Sequence, residues 1–223
     1  MTNNLKKYVM SNSQNPAHEY HLGNITVYVK EALPPSIDLN RILDFVSSTL
    51  PSKFYQNVKM IYIGRFPFLM ARDVDAIFQD GSIYLSSQQD NEHDLLSDLI
   101  HEISHSFEET NFDSIYGDGE IKQEFLAKRQ KIYEILISRG YKVSEADFLN
   151  HEFSKDFDYL LNNEIGYSTL STMTSGLFIS PYGMTSLREY YANAFEEFFV
   201  NDMHSVKQLT PAVYKKLFNY LRF

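Results

Sequence analysis

His101-Glu102-Ile103-Ser104-His105 reads H-E-x-x-H. Two histidines four apart on a helix project from one face about one turn apart, so both imidazoles can reach a single cation. The glutamate between them is turned round the helix, close enough to touch a metal-bound water without being a ligand. Two fixed nitrogens beside a base are what a zinc hydrolase requires. The competing reading is two surface histidines and a solvated glutamate on an ordinary amphipathic helix, because five-residue patterns recur by accident.

The flanking residues predict a helix within Asp90–Thr110. Asp90 or Asn91 can cap it, and Glu92 and Asp94 place negative charge in its first turn. Leu96, Ile100, Ile103 and Phe107 recur at helical spacing beside Leu95 and Leu99, which makes a core-facing stripe. Asp94, Asp98, His101 and His105 form a separate polar stripe, off the apolar face.

A catalytic zinc takes three protein ligands and keeps one position open. The chain has no cysteine, so disulfides are excluded and any metal is held by nitrogen and oxygen. The other histidines offer little. His18 and His21 lie in a polar stretch, His151 and His204 carry no supporting pattern, and His93 is too far along the helix to share an ion with His105. Carboxylates are better candidates, above all in Pro181–Phe195, where Glu189 stands in a Ser186-x-x-Glu189 pattern. That pattern is also a capping box, so Glu189 could simply close its own helix. Glu196 and Glu197 are rival ligands two turns on.

Here the sequence resembles the catalytic domain of anthrax lethal factor and the related Pro-Pro endopeptidases, gluzincin-type zinc peptidases. In that family a Tyr-Gly pair precedes the zinc-binding glutamate by seven residues, and two aromatics, Ala, a variable residue, Ala and Phe follow it. Tyr182-Gly183, Glu189, Tyr190-Tyr191, Ala192, Ala194 and Phe195 match that register without a gap. The resemblance implies a zincin-like fold and one zinc ion held by His101, His105 and Glu189. It further implies Glu102 as general base, Tyr182 as oxyanion donor and hydrolysis of peptide bonds in a peptide or protein substrate. Asn193, one turn beyond Glu189, could hydrogen-bond a zinc-binding histidine from behind. The match covers two blocks, roughly 82–107 and 181–200. The family's connection between them is much shorter than the one here, so residues 111–180 form an insert able to wall or cover a cleft.

The elements that must position these groups begin with strands. Ile25–Val29 and Val58–Ile63 are β-rich, and Val74–Phe78 with Ser82–Ser86 flank Asp80-Gly81, which supplies the positive φ angles of a tight hairpin turn. Ile83, Tyr84 and Leu85 are the candidate sheet edge along which an extended substrate would pair. A helix capped by Asp38 runs to Leu50, and Gly119–Arg139, Ser144–Asn163, Ser186–Val200 and Thr210–Leu221 read as further helices. Residues 1–22 read as an irregular arm. The expected class is therefore α+β: one domain over 1–223, with a small, mostly antiparallel sheet of about four strands before a helical remainder.

Thirty-three Tyr and Phe (16 and 17) with no Trp predict aromatic-rich packing. A net charge of −9 argues against nucleic acid and against an anionic membrane surface, since both would be repelled. With no signal-peptide pattern and no membrane-length apolar run, the expected location is the cytoplasm, leaderless export being the alternative. No pattern specifies an oligomer. Two other functions compete with a peptidase of proteins: a zinc-stabilised binding module without turnover, and a zinc hydrolase of cell-wall peptides.

Overall fold

The computed structural model describes residues 18–222, and they divide into two compact units between Thr110 and Asn111. The whole is α+β, as the sequence predicts. The part of the expected arm at 1–17 lies outside the described residues. Among those described, no helix is long and apolar enough to cross a membrane.

The first unit is built on a five-stranded sheet. Its strands are β1 (His18–Leu22), β2 (Ile25–Val29), β3 (Met60–Gly64), β4 (Ala76–Gln79) and β5 (Ser82–Ser86), in the order β1-β2-β3-β5-β4. The expected four-stranded, mostly antiparallel sheet is corrected in two ways. His18–Leu22 is a strand, paired antiparallel with β2 from Leu22↔Ile25 to His18↔Val29. Its residues are largely polar because it lies at a sheet edge, where only Leu22 is buried. The sheet is also mixed, since β2, β3 and β5 run parallel. Parallel neighbours need a crossover. Between β2 and β3 the chain supplies one with helix α1 (Leu39–Thr49), whose first turn is capped by Asp38 accepting from the Arg41 amide.

Alternation along the central strands gives the sheet two buried faces. Val27, Ile61, Ile83 and Leu85 are fully buried on one. On the other, Tyr28, Tyr62 and Tyr84 stand in register and stack, ring centres 5.8 and 5.1 Å apart, under Phe66 and Leu69 from the turn that includes α2 (Pro67–Met70). Burial pushes the Tyr62 hydroxyl up to about 12. This ladder is where part of the aromatic excess goes.

Helix α3 (Glu92–Tyr116) follows β5 and carries the H-E-x-x-H motif; its regular geometry lapses at Asn111 (φ −120°, ψ 17°). Asn91 caps it, its Oδ1 accepting from the Asp94 amide at 3.1 Å. Leu95, Leu99, Ile100, Ile103 and Phe107 are buried as their spacing predicts, each stabilising the fold by about 2 kcal/mol, whereas Leu96, expected in the same stripe, is only half-buried.

Among the described residues, the regular elements of the second unit are all helical. Its elements are α4 (Glu120–Ser138), α5 (Glu145–Leu149), α6 (Lys155–Tyr159), α7 (Tyr167–Met173), α8 (Leu187–Glu196), α9 (Met203–Leu209) and α10 (Pro211–Arg222). The single helix expected over Ser144–Asn163 is broken at Asn150–Ser154. Arg129, 1% exposed, takes the Asp147 and Asn150 carbonyls with its guanidinium, and Ser154 starts a new helix by accepting from the Phe157 amide. The second piece passes into a π-helical stretch, Leu160–Gly166, before α7.

Candidate metal centre

The motif sits on the part of α3 buttressed most completely. Ile103, Ser104 and Ser106 are buried to 0% exposure, Glu102 is 7% exposed and His105 is 9% exposed. The two imidazole rings stand 5.0 Å apart at 78° to each other, and one donor atom from each of His101, Glu102 and His105 lies within 4.8 Å of the others. Glu102 and His105 are thus withdrawn from solvent, while His101 is half-buried. Two imidazole nitrogens beside a carboxylate, with no thiolate, suit zinc or another divalent transition ion better than magnesium or calcium, which prefer all-oxygen sites. The residues present fit a metal.

Glu102 and His105 are each held by something the motif alone does not reveal. Glu102 Oε2 accepts from the Phe78 amide at 2.5 Å. Phe78 faces Ile83 in the β4–β5 ladder, and the Gln79↔Ser82 pair closes the two-residue turn, so the Phe78 amide points away from β5. His105 Nδ1 lies 3.4 Å from Oε2 of Glu108, a carboxylate 1% exposed. Asp98, one turn before His101 and Glu102, accepts from Gln89 Nε2 at 2.7 Å. Burial raises Asp98 to about 7, with Asp75 and Glu102 adding to the rise and Gln89 and His101 opposing it.

Ile83, Tyr84 and Leu85 are not at a sheet edge. Strand β5 is paired on both sides, with β3 and with β4, because the Asp80-Gly81 turn (φ 54° and 78°) folds β4 back along the outside. Ile83 and Leu85 are fully buried and Tyr84 is in the ladder. The rim of the sheet on this side is β4.

In the second unit, Tyr182 begins a short 3-10 turn, Tyr182–Met184, ahead of α8, and is 37% exposed. Glu189 lies in the first turn of α8, half-buried, and its amide donates to the Ser186 hydroxyl at 3.2 Å, the serine half of the expected capping box. Asn193 Oδ1 accepts from the Ser180 hydroxyl at 2.9 Å, and a Cβ on Gly183 would come within 3.0 Å of the same oxygen. The glycine of the Tyr-Gly pair thus stands in close approach to the Asn193 side chain of α8. Glu197, one of the rival ligands, accepts from Asn201 at 3.0 Å. Tyr167 donates to Asp158 at 2.7 Å; burial raises its pKa, then Asp158, then the neighbouring Tyr182 and Glu189.

Glu108, the Phe78 amide and Tyr167 are absent from the sequence reading. Glu108 had a legible signal, an acidic residue three positions after a candidate ligand on the same helix. The other two depend on a hairpin's orientation and on the broken helix. Comparison of the chain with family models, curated proteins and solved structures returned no match.

Proposed function

We propose that the protein is a zinc-dependent metalloendopeptidase of zincin type. One observation carries the reading: the donor atoms of His101, Glu102 and His105 lie within 4.8 Å of one another on consecutive turns of a buried helix, and a strand amide braces Glu102. His101 and His105 would hold the ion. Glu189 as third ligand and Tyr182 as oxyanion donor enter through the resemblance to the lethal factor and Pro-Pro endopeptidase family.

A bound zinc ion would supply Lewis acidity, polarising the scissile carbonyl and making water reactive near neutral pH. Glu102 then has the work of a general base: it takes a proton from the attacking water and returns it to the departing amine. Its carboxylate has two oxygens. The Phe78 amide occupies Oε2 and so limits the ways the group can turn. The phenol of Tyr182 would donate to the carbonyl oxygen as it gains charge, and loss of one such donor typically costs about a hundredfold or more in rate. An extended substrate pairing with this sheet would lie along β4, not along Ile83–Leu85.

The test is cleavage of a proteome-derived peptide library by the full chain loaded with Zn2+, with and without a chelator. Cleavage that disappears on chelation, returns with Zn2+ and is lost with Zn2+ binding in His105→Ala supports the proposal. Stoichiometric Zn2+ binding with no cleavage of any peptide favours the binding module. Cleavage confined to purified muropeptides favours the cell-wall hydrolase.

A further inference from the structure

We propose that Glu108 is a positioning residue for the candidate metal centre, fixing which nitrogen of His105 is offered to the ion; this rests on the metal reading given above. A carboxylate is costly to bury without a partner. The Glu108 side chain is only 2% exposed and that of His105 11%, and Glu108 Oε2 stands 3.4 Å from His105 Nδ1. Within this contact the proposed arrangement has His105 donating through Nδ1–H and the Glu108 carboxylate oxygen accepting. The proton is thereby assigned to Nδ1, and Nε2 keeps the lone pair that a cation needs.

Helix geometry makes the arrangement stiff. Residues 105 and 108 are one turn apart on α3, whose buried Ile103, Ser104 and Phe107 surround the pair along the chain. The ring is therefore oriented by the helix that carries it and needs no loop to close. A negative charge behind the ring also makes Nε2 a better donor to a cation. No equivalent contact to Glu108 is built into the five-residue motif, so this is a property of the sequence following it, Ser106-Phe107-Glu108.

The experiment compares wild type with Glu108→Gln, which keeps shape and an acceptor oxygen but loses the charge. Zn2+ affinity is measured on the full chain by competition with a chromogenic chelator, and thermal unfolding is measured on the metal-free proteins. The expected result is Zn2+ binding about 10- to 100-fold weaker in Glu108→Gln, with metal-free unfolding little changed. A second readout needs no variant: long-range 1H–15N correlation on the metal-free wild type should find the His105 proton on Nδ1. Zn2+ binding within about twofold of wild type in Glu108→Gln would overturn the inference alone, as would a ring protonated at Nε2 only. Wild type that binds no Zn2+ overturns the metal reading and this inference together.

Discussion

A carboxyl group beside a candidate metal centre can announce itself through stability. Asp98 has its pKa raised from 3.8 to about 7, chiefly by burial, so between those values the folded chain holds a proton that the unfolded chain releases. Its contribution to stability is complete below about pH 3.8 and is lost as pH rises through 7. In the metal-free protein, Asp98→Asn should remove that decline and be the more stable form at pH 8, by an amount on the order of a few kcal/mol. Denaturant titrations of both proteins at pH 4.5 and pH 8 measure it; an unchanged difference between the two pH values would show that Asp98 ionises as an exposed carboxyl does. Glu102 and Glu108 illustrate the same scale. Each has a specific partner on the protein, a strand amide for one and a neighbouring imidazole for the other, and neither partner belongs to the H-E-x-x-H pattern.

Elements were legible in proportion to how local their causes are. The cap at Asn91, the buried stripe of α3 and the Asp80-Gly81 turn all follow from spacing and residue type within a few positions, and all form. Strand order was not legible. Placing β4 outside β5 depends on the crossover that sets β5 parallel to β3, which no periodicity records. The break after Leu149 was hidden for a similar reason, since Arg129, about twenty residues earlier, draws off the carbonyls that would have continued the helix. The Tyr182-Gly183 turn offers the sharpest test at this scale. Gly183→Ala puts a methyl 3.0 Å from Asn193 Oδ1, so that side chain must shift or the turn must move by a few tenths of an ångström. The expected cost is about 1–2 kcal/mol, with cleavage slowed about tenfold or more if the Tyr182 hydroxyl has the proposed role. Adding Asn193→Ala should return part of both losses. Gly183→Ala as stable and active as wild type would remove the packing argument for that glycine.

Across the molecule, an ion held by side chains that are apart in the unfolded chain stabilises the fold by mass action. At a free Zn2+ concentration a thousandfold above its dissociation constant the gain is about 4 kcal/mol. Chelation should therefore lower the melting temperature of wild type by several degrees and leave His105→Ala, already without the ion, nearly unmoved. Scanning calorimetry in the presence and absence of chelator checks this, and equal melting temperatures for wild type in both conditions would argue against a bound ion. In the proposed mechanism Glu102 is the base beside the candidate ligands His101 and His105. The most direct test of the account replaces that base alone. Glu102→Gln and wild type, loaded to the same Zn2+ stoichiometry, are given the same cleavable peptide. The account predicts equal metal content with turnover in the variant reduced by about a hundredfold or more. Cleavage by Glu102→Gln at the wild-type rate would contradict it.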